Sequence, residues 1–128
     1  MASRYVFDSS SVLAIVLDEV GADFAVTRLA DGCISSVNQT EIVTRLLDLG
    51  WSIPDAFAIN DMLGLEVIPF DEDEALSAAA LRTSTRSKGL SLGDRACIAT
   101  AQIIGGTAVT ADKAWAEIKL PCPVEVIR

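Results

Sequence analysis

The sequence predicts an α/β fold in which a mainly parallel sheet is covered by helices on both faces. Short runs rich in valine and isoleucine alternate along the chain with segments whose apolar residues recur at helical spacing. Near-continuous apolar strands are typical of parallel sheets, which are buried on both sides. A chain of 128 residues without a repeat or a linker fits one compact domain, so we expect a single domain over residues 1–128.

The first half of the chain predicts two strands and four helices. Residues 4–8 (RYVFD) form a short apolar run that predicts a strand, and the residues after it show helical spacing. A further helix is expected over Ala22 to Ala30 and a short strand over Cys33 to Val37. Residues 38–50 (NQTEIVTRLLDLG) have one apolar helical face and stop at a glycine, and Pro54 suits the first turn of the next helix.

The second half continues the alternation. Residues 65–70 (LEVIPF) predict a strand, and the acidic start and basic end of residues 71–89 favour one helix along that whole segment. Residues 91–104 predict a buried helix that has one acid, Asp94, in its first turn. A strand over TAVTAD, a short helix over ADKAWAEIK and a last strand, VEVIR, complete the chain.

The composition excludes several classes of chemistry. There is no histidine, which excludes Ser-His-Asp and Cys-His hydrolysis and imidazole metal sites. The 3 cysteines have no CxxC spacing, which argues against a disulfide framework or a zinc site, so we expect them reduced in the core. The net charge of −8 argues against a general basic surface for long nucleic acid. Without a membrane-length apolar run or a secretory signal, we expect a cytoplasmic protein.

Four acidic residues occupy equivalent places at the predicted strand ends. Asp8 ends the first strand, and Asp112 follows the strand TAVT. Glu41 and Asp94 fall in the first turns of two helices. Because sites in parallel sheets form outside the carboxyl ends of the strands, we expect these four carboxylates to lie at one rim.

Each acid also has a structural interpretation as a helix cap. Asp8 is placed to cap the helix after the first strand, and Ser91 to Asp94 has the S-x-x-D form of a capping box. Residues 36–39 and 38–41 resemble capping boxes as well, which would make Glu41 a cap partner. Thr110 or Asp112 could cap the last helix. Capping does not require the acids to converge, so convergence separates the two interpretations.

Convergence of the four carboxylates would call for a cation or a proton. Two like charges about 5 Å apart repel by roughly 3 kcal/mol at an effective dielectric constant of 20. With oxygen ligands alone, the expected ion is Mg²⁺ or Mn²⁺. Such an ion lowers the pKa of a bound water and holds a phosphodiester for in-line attack, so the pattern favours phosphoryl hydrolysis.

Polar and basic residues near this rim are candidates for substrate binding. Ser9 and Thr110 carry hydroxyl groups that could hold a water or a ligand, although each could equally cap a helix. The clearest basic cluster lies in residues 81–95, where we expect substrate phosphates to bind. Its members are Arg82, Arg86, Lys88 and Arg95. The alternative is a solvated helix end whose cations complement the helix dipole.

Four segments together resemble the PIN domain: VFDSSSVLA, SSVNQTEIV, LSLGDRACIATA and AVTADKAW. The length and the order of the whole chain resemble a VapC-type toxin of a bacterial toxin–antitoxin pair. The resemblance covers essentially the entire chain. It implies a three-layer α/β/α sandwich with a central, mainly parallel sheet and Mg²⁺- or Mn²⁺-dependent cleavage of RNA.

The resemblance also implies roles for individual residues and partners. Carried over by position, Asp8, Glu41, Asp94 and Asp112 match the acidic quartet that serves catalysis and metal binding. Asp8 and Asp94 are then metal ligands, Glu41 orients the metal or a water, and Asp112 acts through a second metal or a water. The implied partners are an RNA substrate, a second copy in a homodimer, and a small VapB-like antitoxin that occludes the site.

Three other functions stay open at this point. A phosphatase similar to the haloacid dehalogenases would need a second aspartate two residues after Asp8, where this chain has Ser10. A receiver domain similar to response regulators would need a phosphoacceptor aspartate after its third strand, a place that Asp71 takes. The third alternative is a catalytically silent interaction domain, against which the intact acidic quartet argues.

Overall fold

The computed structural model describes residues 4–128 and contains a five-stranded sheet in the order β3-β2-β1-β4-β5. All four strand pairs are parallel. The strands are β1 Tyr5–Phe7, β2 Gly32–Ser35, β3 Glu66–Ile68, β4 Thr107–Thr110 and β5 Val124–Val126. Helices cover both faces, so the predicted three-layer α/β/α sandwich is confirmed.

The helices within residues 4–128 are mostly short. The α-helices are α1 Ser9–Val16, α2 Ala22–Val26, α3 Ser36–Asp48, α4 Ile53–Phe57, α5 Ile59–Leu63, α6 Glu72–Ala80, α7 Arg82–Thr85 and α8 Leu92–Ile104. Single 3₁₀ turns occupy Leu29–Asp31, Arg86–Lys88 and Lys113–Glu117. None of these helices has the length and apolarity that a bilayer span requires.

Each face of the sheet packs into its own hydrophobic core, because successive strand side chains point to opposite faces. One core joins the strand residues Phe7, Ile34 and Val109 to apolar residues of α1 to α5. The other joins Val6, Cys33 and Ala108 to α6, α8 and the fully buried Trp115. All three cysteines are free, two of them buried and Cys122 half-buried. The strong burial of these strands explains their near-continuous apolar sequences.

The single helix expected over residues 71–89 is wrong beyond Ala80. The hydroxyl groups of Ser84 and Thr85 both donate to the carbonyl of Leu81, at 3.3 and 2.7 Å. Both residues lie within α7, and the Thr85 N–H also donates to the Leu81 carbonyl at 3.0 Å, so the hydroxyl groups share this acceptor with the helical hydrogen bond. Gly89 then takes a left-handed conformation, with φ of 68°, which ends the segment. The chain therefore divides into α6, α7 and a 3₁₀ turn.

Two other boundaries differ from expectation for similar reasons. The strand expected over Cys33 to Val37 ends at Ser35, whose hydroxyl accepts the N–H of Val37 and caps α3. Neither capping box proposed within residues 36–41 forms, so Glu41 is not a cap partner. The helix expected over Ala22 to Ala30 ends at Val26. The hydroxyl of Thr27 donates to the carbonyl of Phe24 at this point.

The strand order reverses at the carboxyl ends of β1 and β4, and the edge of the sheet at this reversal is called the crevice below. The chain moves outward from β1 to β2 and β3, and then returns to place β4 on the other side of β1. Ligands of open α/β sheets bind at such a reversal of strand order. The same order excludes the receiver alternative, which requires the third strand beside the first. Here β3 is an edge strand, and Asp71 caps α6 in a capping box with Glu74.

Candidate active site

Asp8 lies at the centre of the crevice, directly after β1. Its backbone N–H donates to the Val109 carbonyl of β4 at 3.0 Å, and the residue is only 4% exposed. Its carboxylate accepts the N–H of Ser11 at 2.8 Å, which caps α1 as predicted. The hydroxyl groups of Ser10 and Thr110 also donate to it, at 2.8 and 2.5 Å. The cap interpretation is therefore correct, and the capping residue is a buried acid at the reversal of strand order.

Burial raises the pKa of Asp8 from 3.8 to about 6, although hydrogen bonds from Thr110, Ser11 and Ser10 act in the opposite direction. Removing a carboxylate from water disfavours its charged form, and the hydrogen bonds that Asp8 accepts offset this effect only in part. The ion pairs within residues 4–128 involve other acids, namely Glu19, Glu66 and Glu125. A cation beside Asp8 would supply the missing compensation.

Glu41 extends from α3 toward the first turn of α8. Its Oε1 accepts hydrogen bonds from the Ser9 hydroxyl at 2.5 Å and from the Asn38 amide at 3.0 Å. Its carboxylate lies against the Cα of Gly93, where an added Cβ would overlap it. A glycine at this position is thus what allows Glu41 to lie beside Asp94.

Asp94 forms the capping box that the sequence predicts. Its N–H donates to the Ser91 hydroxyl at 3.1 Å, and its Oδ2 accepts the Ser91 N–H at 2.9 Å. Burial raises the pKa of Asp94, and the charges of Asp112 and Glu41 raise it further against the hydrogen bonds from Ser91. Asp94 is thus close enough to Glu41 and to Asp112 for both charges to act on it. Asp94 is therefore both a capping residue of α8 and a neighbour of the other acids.

Asp112 is exposed and follows β4. Its Oδ1 accepts the N–H of Ala114 at 3.0 Å and caps the 3₁₀ turn Lys113–Glu117, as the structural interpretation expected. Its own N–H donates to the Thr110 hydroxyl at 3.0 Å, and that hydroxyl donates in turn to Asp8. The Thr110 hydroxyl therefore links Asp8 to Asp112. The Ser9 hydroxyl, next to Asp8 in the chain, contacts Glu41.

The four carboxylates do not form a ready-made metal cage. Within residues 4–128, no group of three or more Asp, Glu or Cys side chains is arranged to hold a metal ion. Hydrogen-bond donors engage each carboxylate instead. The four carboxylates nevertheless fit a hard divalent cation, because they offer oxygen ligands alone and because burial raises the pKa of both the buried Asp8 and the half-buried Asp94. Asp8 and Asp94 are the residues that this observation favours as ligands.

The basic residues expected to bind phosphates divide into two groups. Arg86 and Lys88 are exposed on the 3₁₀ turn between α7 and α8, where solvent and ligands reach them. Arg95 is half-buried, and its Nη1 donates to the Ala78 carbonyl of α6 at 3.0 Å. Arg95 is thus held against α6 by one of its N–H groups, and its role in phosphate binding stays a prediction.

Two residues of this site are absent from the predicted set. Ser10 donates to Asp8 and accepts the N–H of Ala111, which joins α1 to the end of β4. Asn38 is buried between Glu41 and α8. The sequence signal for Asn38 is its position one helical turn before Glu41 on the same face of α3.

Comparisons with known proteins agree with this geometry. The model of the PIN domain family matches residues 5–120. A search of curated proteins finds no match.

Three of the similar solved structures are toxin–antitoxin complexes. They are VapBC2 from Rickettsia felis bound to a promoter DNA fragment, with 19% identity and a TM-score of 0.75 over 97% of this chain and 98% of that one; DNA-bound VapBC from Salmonella typhimurium, with 18% identity and a TM-score of 0.73 over 99% and 100%; and a toxin–antitoxin complex from Klebsiella pneumoniae, with 22% identity and a TM-score of 0.73 over 97% and 98%. At these identities the similarity establishes the fold. Together with the family match over residues 5–120, it shows that the chain belongs to the PIN domain family.

Proposed function

We propose that the protein is a Mg²⁺- or Mn²⁺-dependent endoribonuclease and the VapC-type toxin of a toxin–antitoxin pair, acting as one domain over residues 1–128. PIN domains are generally nucleases, which supports the hydrolytic activity. The observation that carries the proposal is the group of acids at the reversal of strand order, in which Asp94 is electrostatically coupled to Glu41 and Asp112.

The residues of the crevice have different proposed roles. Asp8 and Asp94 would hold the divalent cation, with Glu41 and Asp112 beside it. A bound Mg²⁺ or Mn²⁺ would supply charge neutralisation at the phosphodiester and a lowered pKa for the attacking water. Ser9 keeps Glu41 in place and Thr110 keeps Asp8 in place through their hydrogen bonds. Glu41 is the exposed carboxylate best placed to orient a water.

RNA would approach across the turn that precedes α8. The exposed cations Arg86 and Lys88 lie on this turn and can contact phosphates, which positions a strand without reading its bases. Elsewhere the acidic surface repels a polyanion, so the proposal is a local basic contact beside a cation-dependent centre.

The partners follow from the complexes that share this fold. We include a small VapB-like antitoxin, because several of the similar structures are toxin–antitoxin complexes. We also include a homodimer, which the resemblance to VapC-type toxins implies. Exposed apolar side chains on α4 and α5 support a protein partner: Ile53, Phe57 and Met62 are 57, 65 and 76% exposed. A contiguous exposed apolar patch marks an interaction site, and we propose that these three side chains belong to one.

The test is cleavage of total RNA by the purified protein with Mg²⁺, with Mn²⁺ and with EDTA. We expect cleavage only with the divalent ions, and loss of cleavage in Asp94→Asn without loss of folding. Asp73→Asn is a matched control, because Asp73 is also an acid in the first turn of a helix but is exposed on α6. Cleavage in EDTA, or undiminished cleavage by Asp94→Asn, would contradict the proposal. Mapping the cleaved ends would identify the RNA.

A further inference from the structure

Asn38 is a buried amide at the point where three helices of the site meet. The residue is 1% exposed and lies on α3, one turn before Glu41. Its Nδ2 is 3.0 Å from Glu41 Oε1, 3.0 Å from the carbonyl oxygen of Gly93 on α8, and 3.3 Å from the Ser9 hydroxyl on α1. The amide of Asn38 therefore contacts α1 and α8, and it also contacts Glu41 on its own helix, α3.

The orientation of this amide is fixed by its surroundings. Its nitrogen faces three oxygen atoms, whereas its Oδ1 has no hydrogen-bond partner within residues 4–128. A reversed amide would place its oxygen against a carboxylate and a carbonyl, which repel it. Burying an unpaired acceptor is unfavourable, so the contribution of Asn38 must come from its two N–H groups.

The contact between Glu41 and Gly93 explains what those two N–H groups achieve. The Glu41 carboxylate lies so close to Gly93 that an added Cβ would overlap it. Both hydrogen bonds that Glu41 accepts within residues 4–128 end on Oε1, which leaves Oε2 for a ligand. Asp94 follows Gly93 directly, so the position of the Glu41 carboxylate against α8 also sets its distance from Asp94.

We infer that Asn38 is a positioning residue: by bonding Glu41 Oε1 and the Gly93 carbonyl together, it fixes the separation of Glu41 and Asp94 and directs Glu41 Oε2 into the crevice. The inference deepens the proposed function and rests on it. Asn38 itself acts through Glu41. Ser9 also bonds Glu41 Oε1, so removal of Asn38 weakens the arrangement without abolishing it.

A double-mutant cycle tests this role. Mn²⁺ affinity, by isothermal titration calorimetry, and kcat for RNA cleavage are measured for the wild type, Asn38→Ala, Glu41→Gln and the double variant. We expect Asn38→Ala to lower both quantities about tenfold, the low end of the range for loss of an outer-shell partner of a metal ligand. If Asn38 acts through Glu41, its removal should change either quantity less than twofold in the Glu41→Gln background.

Two further variants separate positioning from folding. Asn60→Ala removes another buried amide, on α5, and should leave Mn²⁺ affinity and kcat at their wild-type values. Gly93→Ala keeps Asn38 and favours the helix, but its methyl group displaces Glu41. It should lower Mn²⁺ affinity as Asn38→Ala does, so the inference is still tested if Asn38→Ala fails to fold.

The outcomes distinguish this inference from the proposed function. Wild-type Mn²⁺ affinity in folded Asn38→Ala would overturn the positioning role. So would a double variant in which the fold losses of Mn²⁺ affinity of the two single variants multiply in full. So would wild-type Mn²⁺ affinity in Gly93→Ala. A wild-type protein that binds Mn²⁺ but cleaves no RNA would reject the proposed nuclease alone, and Mn²⁺ affinity would still decide the role of Asn38.

Discussion

Replacing Asp8 with asparagine should stabilise the protein in the absence of divalent ions. Asp8 caps α1 and is buried, and burial raises its pKa from 3.8 to about 6. Because the folded state binds this proton more tightly than the unfolded state, ionisation between about pH 4 and pH 6 favours unfolding. Asparagine keeps an oxygen for the Ser11 N–H and is as good a cap as aspartate, but it carries no charge.

The size of the effect follows from the pKa of Asp8. A rise from 3.8 to about 6 corresponds to about 3 kcal/mol of destabilisation above pH 7. For a chain of 128 residues this is a rise of roughly 10 °C in Tm for Asp8→Asn. The assay is thermal unfolding followed by circular dichroism in EDTA, at pH 7.5 and again at pH 4. The stabilisation should disappear at pH 4, where most of the wild-type carboxyl is neutral.

A second capping aspartate provides the control. The exposed Asp71 carboxylate accepts the backbone N–H of Glu74 at 3.2 Å at the start of α6, where a negative charge complements the helix dipole, so its charge favours the folded state. Asp71→Asn should therefore lower Tm slightly at pH 7.5. A fall in Tm for Asp8→Asn as well would mean that its charge serves the cap, and would refute the reasoning from burial.

Three further predictions concern neighbours of the acids. Thr110→Val removes the strongest donor to Asp8 and should raise the pKa of that carboxyl further, which NMR titration of the Asp8 side chain would detect as a shift to higher pH. Ser91→Ala removes the cap of α8 and should cost about 1 kcal/mol in chemical denaturation, whereas an unchanged midpoint would show that the capping box contributes nothing. The double variant Arg86→Ala, Lys88→Ala should bind RNA more weakly in Ca²⁺ and with a smaller salt dependence. Filter binding at several salt concentrations measures this. An unchanged slope of log affinity against log salt concentration would show that this turn does not contact the RNA.

The fold was predictable because the strands are buried on both faces. Tyr5–Phe7 is apolar throughout and Ala108 and Val109 are adjacent in Thr107–Thr110, so neither run alternates apolar with polar residues, and that pattern indicates a parallel sheet. Three of the acids were predictable for a related reason, since Asp8 and Asp112 follow strands and Asp94 opens α8 at the carboxyl edge. The expectation that Glu41 falls in the first turn of its helix is wrong, because α3 begins at Ser36 and Glu41 lies in its second turn. Helix boundaries were less accessible, because the charges of residues 71–89 favour one helix, whereas the chain divides at Leu81 and ends in a 3₁₀ turn before the left-handed Gly89.

The contacts that complete the site depend on tertiary packing. Arg95 has the charge expected of a phosphate ligand, but the approach of α6 brings the Ala78 carbonyl within its reach. Asn38 resembles an ordinary helix-start residue in sequence, and only the packing of α3 against α8 gives it the Gly93 carbonyl as a partner. Both contacts join residues far apart in the chain, which local patterns cannot specify.

The central claim is that the acids at the reversal of strand order hold a divalent cation. A crystal grown with Mn²⁺, with diffraction measured at the manganese absorption edge, tests it most directly. The account predicts an anomalous peak contacted by the carboxylates of Asp8 and Asp94, with Glu41 and Asp112 beside it. A peak at other acids, such as Asp71 and Glu74 at the start of α6, or no peak within the crevice, would contradict it.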